Sequence, residues 1–279
     1  MSETNVPGYT ANQRLLDPRR LGTTTMLSSS SKYLNHPRLR HWMAVESLRR
    51  NGPDMDHYGG PLEIIDIFRE LDDIDEINRL FAAARERDPA LDEWFEARFL
   101  VPHDLEALAR LPDGTLGREY QKMLAEQGLQ ADFLPFASTA TDYDYFHRRH
   151  SQTHDIEHLV IGYRYDPLGE FALIAARATN MLNVLGQELA EHVSVVSNLL
   201  LGSGIARFGC HYPHLLPPLY KALGEGQRIG SSLKIPLFMP RYEDMFEWTI
   251  AEVREHLGVV HGPDFEDTMW SLGEYFDAA

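Results

Sequence analysis

Four of the 13 histidines fall within twelve residues: His147, His150, His154 and His158. On a helix their offsets of three, four and four place them in one stripe. Inside the stripe stands His154-Asp155-Ile156-Glu157-His158. Two imidazoles four residues apart can converge on one metal ion, as in zinc-binding helices built on a His-x-x-x-His pair. The acid follows the first histidine directly, so Asp155 would serve either as a third ligand or as the group that orients an imidazole. Glu170 lies twelve residues after His158, just past Asp166-Pro167-Leu168-Gly169, where a chain reversal would aim the first turn of the next helix back at the histidines. Nitrogen and oxygen ligands without sulfur suit zinc, manganese, iron or magnesium. Standing alone, a His-x-x-x-His pair is more often structural than metal-binding, so the acids carry much of the argument.

The elements that must hold these residues read as helices. From Pro37 onward the apolar spacing is helical nearly throughout: around Ile64–Leu71, Ile74–Phe81, Leu91–Phe95 and Leu105–Leu111. Thr115 can cap a helix that Gly128 closes. Tyr143 to Ile161 reads as one helix ending at Gly162, and Phe171 to about Leu201 as another with a kink at Gly186. Pro240 is expected to open a helix that runs to Leu257 and stops at Gly258, followed by an amphipathic piece holding Phe265, Met269, Trp270, Leu272 and Phe276. The best strand candidate, Leu233–Met239, contains Pro236. The expected architecture is all-α: an irregular N-terminal arm, 1–36, and a single compact multi-helix domain over 37–279.

Composition restricts the partners. With 43% hydrophobic residues in 279, there is ample material for a core, which excludes a disordered chain. The net charge of −16 is a poor footprint for nucleic acid. A single cysteine, Cys210, excludes an internal disulfide and any cysteine-rich metal site, and it reads as a small buried apolar side chain. His211-Tyr212-Pro213-His214 reads as a loop, and Trp248 and Trp270 as core or interface. No apolar run reaches membrane-spanning length, and the opening residues lack the apolar stretch of a signal peptide, so the cytoplasm is the expected compartment.

Beyond local chemistry, His154-Asp155-x-x-His158, eleven intervening residues and Glu170 resemble the HDxxH-x11-E mark of the Coq-four family of ubiquinone (coenzyme Q) biosynthesis proteins. Leu111-Pro112-Asp113-Gly114-Thr115-Leu116-Gly117-Arg118-Glu119-Tyr120 is similar to that family's LPxGTLGxxY segment. Gly169-Glu170 matches its GE pair and Arg149 an arginine five residues before the HD. Tyr242-Glu243 and Ile250–Gly258 resemble its closing motif, so the likeness covers roughly 40–260. Glu157 stands where the family often has an aromatic, and Ala175-Ala176-Arg177 lacks its usual Lys and Glu.

The resemblance implies a helical fold with bound Zn2+ and a tunnel for a polyprenyl tail. It implies removal of the C1 carboxylate from a polyprenylated 4-hydroxybenzoate by a carbon–carbon lyase, with C1 hydroxylation as an allied step. Its partners would be other ubiquinone biosynthesis enzymes, at a peripheral position on the inner face of the cell membrane. On this reading His154, Asp155, His158 and Glu170 hold the metal, His150 donates a proton to the ring carbon, and Arg149 grips a carboxylate as a bidentate fork. Leu173, Ile174, Met181, Leu182, Val184 and Leu185 would line the tail's channel. The alternative is a non-catalytic scaffold that presents polyprenyl lipids to partner enzymes; a metal phosphohydrolase is a third, weaker reading. An apolar face on the last helix would suit a homodimer.

Overall fold

The computed structural model describes residues 31–48, 64, 67–131 and 138–262. Among them are α1 (Lys32–Asn35), α2 (Pro37–Leu48), α3 (Ile74–Arg87), α4 (Pro89–Ala97), α5 (Leu105–Leu108) and α6 (Leu116–Gln127). There follow α7 (Asp142–Ile161), α8 (Pro167–Leu185), α9 (Gln187–Val193), α10 (Val195–His211), α11 (Leu216–Ser232) and α12 (Ile250–Leu257). Residues 67–71 are also helical. The described residues contain no strand; Thr115 and Thr249 form an isolated antiparallel bridge. The fold is all-α.

Three clusters of buried side chains order the helices. The largest gathers apolar faces of α6, the C-terminal half of α7, α8, α10, α11 and α12. A second, rich in aromatics, joins α3, α4, the N-terminal half of α7, the end of α8 and α9. The third packs α2, Ile64, Ile67 and Phe68 against α10. Ile156, Leu159 and Val160 place one half of α7 in the first cluster, and Tyr143, Tyr145 and Phe146 place the other half in the second. α7 therefore threads both cores.

The tightest helix contact is between α8 and α11. A Cβ on Gly226 would lie 2.2 Å from the Ala172 carbonyl oxygen, and one on Gly230 would lie 2.2 Å from that of Ala176. Two glycines one turn apart let the two backbones touch, and α8 packs far more extensively on α11 than on α7.

Several boundaries depart from the sequence reading. Residues 32–35 of the expected arm form α1, capped by the Ser31 side chain. The single helix expected over 171–201 is three. Gly186, at φ 83° and ψ 159°, ends α8, Ser194 separates α9 from α10, and α10 runs on to His211. The helix expected from Pro240 is a 3-10 turn, Tyr242–Met245, followed by α12. The reason is local: Thr249 and Glu252 form a capping box that starts the helix at Ile250, ten residues after Pro240. The segment before it accepts hydrogen bonds from the start of α6, Leu116 N to Trp248 O at 2.7 Å and Gly117 N to Phe246 O at 2.9 Å. His211 ends α10, and Pro213–Leu215 is a 3-10 turn rather than a loop.

Cys210 is exposed, not buried. It lies on the outward side of α10 together with Gly202, Ala206 and Gly209, all exposed. Trp248 is 38% exposed and leans its edge on His256. Most of the arm, Trp270 and the expected amphipathic piece at 265–276 lie outside the described residues. Among the described residues no single helix is long and apolar enough to cross a membrane. α9 and α10 pass by length and composition only as a pair bent by 58°.

Candidate metal centre

Local sequence fixes both supporting helices. α7 begins at a capping box in which Thr141 Oγ1 accepts from the Asp144 amide and the Asp144 carboxylate accepts from the Thr141 amide. It ends at Gly162, whose φ of 81° would strain a side chain. α8 begins with Asp166 as N-cap, accepting from the Gly169 amide at 2.8 Å, and Pro167 in its first turn. A Cβ on Gly169 would lie 1.7 Å from the Arg164 carbonyl oxygen, so only glycine permits this closure. The reversal is thus five residues long, and Glu170 arrives in the first turn of α8 facing back toward α7.

Glu170 Oε2 lies 3.3 Å from His154 Nε2, and Glu170 Oε1 lies 3.2 Å from His158 Nε2. One ligand atom from each of these three residues falls within 4.8 Å of the others. The two rings meet edge to face, 4.9 Å between centroids, and Tyr165 in the reversal sets its ring 5.5 Å from that of His158. The His158 side chain is fully buried, while those of His154 and Glu170 are 21% and 32% exposed, so the centre has one open side.

Asp155 is not among the converging ligand atoms. Its Oδ1 accepts from His154 Nδ1 at 2.8 Å. A carboxylate at Nδ1 keeps a ring proton there, so Nε2, which donates to Glu170 while the imidazole is protonated, is the nitrogen whose lone pair would turn to a metal ion that displaced its proton. Burial by itself would push the His154 imidazole down, but the Glu170 charge and the Asp155 hydrogen bond outweigh it and hold it up to about 10. Burial would raise the Glu170 carboxyl, yet the two histidines hold it well below the usual carboxylate range. The donor set therefore fits a divalent ion: two imidazole nitrogens and a carboxylate kept ionised, one imidazole with its tautomer fixed, and room for a further ligand. Three protein ligands with an open position are the pattern of catalytic rather than structural zinc.

The other two site residues stand elsewhere. Arg149, expected as a fork for a substrate carboxylate, already holds one. Its guanidinium donates to Glu243 Oε1 at 2.6 Å and Oε2 at 2.9 Å, to the Pro240 carbonyl at 2.8 Å and to Gln152 at 2.9 Å. It is 1% exposed, and displacing a buried partner would cost more than a new carboxylate returns. His150 lies with Phe146 stacked on it at 5.2 Å and Phe238 at 5.9 Å. Burial first, then the Arg177 charge, keeps its imidazole well below its ordinary value, so it is neutral at neutral pH. Those surroundings oppose a role as the stored acid. Of the expected channel residues, Leu173, Met181 and Leu185 are core, while Leu182 is 47% exposed.

Sequence reasoning missed the polar groups around the centre. Glu243, Tyr165 and the Glu157–Arg177 contact are set by tertiary placement, and only the Tyr242-Glu243 motif offered a signal.

An all-helical protein with a paired-helix His/His/Glu centre is the class defined here. Residues 101–263, more than half of the chain, match the family model of the coenzyme Q (ubiquinone) biosynthesis protein Coq4. The chain belongs to the Coq4 family. It is 30% identical over 166 residues to the mitochondrial ubiquinone biosynthesis protein COQ4 homolog of Danio rerio, covering 57% of this chain and 55% of that one. It is 26% identical over 174 residues to the mitochondrial COQ4 of Eremothecium gossypii, covering 58% and 46%. The matched stretch thus spans about half the length of these curated relatives. A crystal structure of a Nostoc punctiforme protein, described as a candidate ubiquinone biosynthesis protein, shares the fold. Its TM-score is 0.59 at 23% identity, over 78% of this chain and 93% of that one.

Proposed function

We propose that this chain removes the C1 carboxylate from a polyprenylated 4-hydroxybenzoate, using a divalent metal, zinc, held by His154, His158 and Glu170. The observation that carries the reading is the convergence of those three ligand atoms within 4.8 Å in a protein of the Coq4 family. A bound divalent ion supplies a Lewis acid for the oxygen of an aromatic acid or phenol as charge develops.

The chain's own residues do the rest. Asp155 orients His154, and the closed turn at Gly169 aims Glu170. The open side at Glu170 admits the substrate, and Ile174, Ala178 and Leu182 continue from it at four-residue intervals along α8 as an apolar flank that ends at the exposed Leu182. Such a flank suits a tail without polar atoms, each buried CH₂ contributing about 0.8 kcal/mol. When the C1–carboxylate bond breaks, CO2 leaves with no electron pair. The pair left on the ring is quenched by a proton from solvent at the open side, because His150 is neutral. Peripheral attachment to a membrane and contact with other ubiquinone biosynthesis enzymes belong to the same reading.

The test is His154→Ala. Wild-type protein purified without chelator carries about one zinc and converts a prenylated 4-hydroxybenzoate, whereas the variant folds, carries none and releases no CO2. Turnover that persists after chelation rejects the metal mechanism. A wild type that binds the lipid and partner enzymes but never releases CO2 establishes the scaffold instead.

A further inference from the structure

A second polar contact joins α7 and α8 in the protein interior. Arg177 Nε donates to Glu157 Oε2 at 2.7 Å and Arg177 Nη2 to Glu157 Oε1 at 2.8 Å. Arg177 Nη2 also reaches the His150 carbonyl at 2.9 Å, and Thr153 Oγ1 donates to Glu157 Oε1 at 2.6 Å. Glu157 is fully buried and Arg177 is 7% exposed. Both charges are satisfied, and both belong to the helices that carry the metal ligands.

We infer that the Glu157–Arg177 pair is a positioning device: it fixes the register of α8 on α7 and so sets the geometry, and the metal affinity, of the His154/His158/Glu170 centre. The inference rests on the metal reading above. Three observations carry it. First, a desolvated ion pair is a poor source of net stability, since apolar residues of like size often serve as well; what it adds is direction. Second, α8 is held chiefly by α11, through Gly226 and Gly230, so its main packing does not determine how Glu170 meets α7. Third, the spacing is that of a brace. Arg177 follows Glu170 by seven residues, about two turns along the same face of α8, and Glu157 lies between His154 and His158. Sliding α8 by one turn, about 5.4 Å, or rotating it by one residue would leave a buried guanidinium without its carboxylate. The pair tolerates one arrangement, and that arrangement brings Glu170 to both histidines.

The experiment measures zinc affinity by competition with a chromophoric chelator, the visible spectrum of the Co2+-loaded protein, and thermal unfolding. Glu157→Gln alone strands a buried charge and risks unfolding, so the decisive variant is the double replacement Glu157→Leu with Arg177→Met. Thr153 keeps its bond to the Arg149 carbonyl in that variant. It is expected to unfold at or above the wild-type temperature yet bind zinc about 10–100-fold more weakly, with an altered Co2+ spectrum. Arg177→Lys, which keeps the charge and loses the fork, is expected to lose part of that affinity. A folded double variant with wild-type zinc affinity and spectrum overturns the inference. If the double variant does not fold, unchanged affinity in Arg177→Lys overturns it equally. A wild type that takes up no zinc fails the metal reading itself and takes this inference with it, an outcome distinct from equal affinities.

Discussion

Arg149 and Glu243, 94 positions apart, meet as a bidentate pair that ties the middle of α7 to the 3-10 turn before α12. Glu243 Oε1 also lies 2.9 Å from His103 Nε2, whose Nδ1 faces the Tyr120 hydroxyl at 3.1 Å, and Tyr120 donates to the Ala131 carbonyl at 3.0 Å. One carboxylate therefore links α6, α7 and the C-terminal segment. Glu243→Ala would leave Arg149 buried beside an empty acceptor site, and an uncompensated buried charge costs about 3–5 kcal/mol. Urea unfolding is expected to show that loss, whereas Glu247→Ala, at an exposed neighbouring site, leaves the midpoint in place.

The same pair gives the protein an acid limit. Burial opposes ionisation of Glu243, but the hydrogen bonds from His103 and Arg149 prevail and hold its carboxyl down to about 2. A depressed folded value means that its contribution is whole above the ordinary carboxylate range and drains away as pH falls from about 4.5 toward 2. His147 acts in a higher window. Burial pushes its imidazole down to about 4 from 6.5, so the folded state resists its protonation and loses stability as pH falls between those values. His147 is expected to contribute up to about 1.4 kcal/mol per pH unit to the loss of stability in that window, beside the contribution of the buried His150. His147→Gln flattens the slope between pH 6.5 and 4 in urea titrations; an unchanged slope there removes His147 as its source.

Much of the centre was legible because its signals are short-range. An i, i+4 histidine pair, a proline-capped reversal and an acid in the next first turn are local devices, and local devices survive without knowledge of the fold. The buried polar contacts between distant elements were not legible, because nothing periodic links Arg149 to Glu243 or Glu157 to Arg177. Glu157, at a position where the family often has an aromatic, faces Arg177, in a stretch that lacks the family's usual Lys and Glu. α11 escaped the sequence reading, since Gly224, Gly226 and Gly230 with Pro217 and Pro218 lower its helix propensity; contact with α8 supplies what propensity lacks. Cys210 was misplaced because an apolar helix gives no sign of which flank is left uncovered.

Asp155→Asn tests the orienting role directly. The amide keeps the shape of the side chain and its acceptor oxygen but loses the charge that favours a proton on His154 Nδ1. Zinc affinity is expected to drop about 10–100-fold with thermal unfolding nearly unchanged. A Co2+ spectrum that shows one fewer protein ligand in the variant would put Asp155 on the metal instead.

The exposed thiol gives a check on α10 that is independent of metal chemistry. Cys210 is expected to react with a chromogenic disulfide reagent in the native protein at a rate close to that after denaturation, without release of zinc. Protection that disappears only on unfolding would mean that this flank of α10 is covered in solution.

The α8–α11 contact supplies the last expectation. Gly230→Val drives a branched side chain into the Ala176 carbonyl, from which even a Cβ would be only 2.2 Å away. That atom is backbone and cannot turn aside, so the helices must separate, and overpacking of this kind costs about 1–3 kcal/mol. Gly224→Ala on the same helix meets nothing within 4 Å and replaces a residue of poor helix propensity, so it is expected to be neutral or to stabilise by up to about 1 kcal/mol. The two variants separate helix propensity from helix contact within a single element. Because Ala176 immediately precedes Arg177, separation of α8 from α11 also disturbs the brace on α7. Gly230→Val is therefore expected to weaken zinc binding as well as stability, while Gly224→Ala leaves zinc binding unchanged.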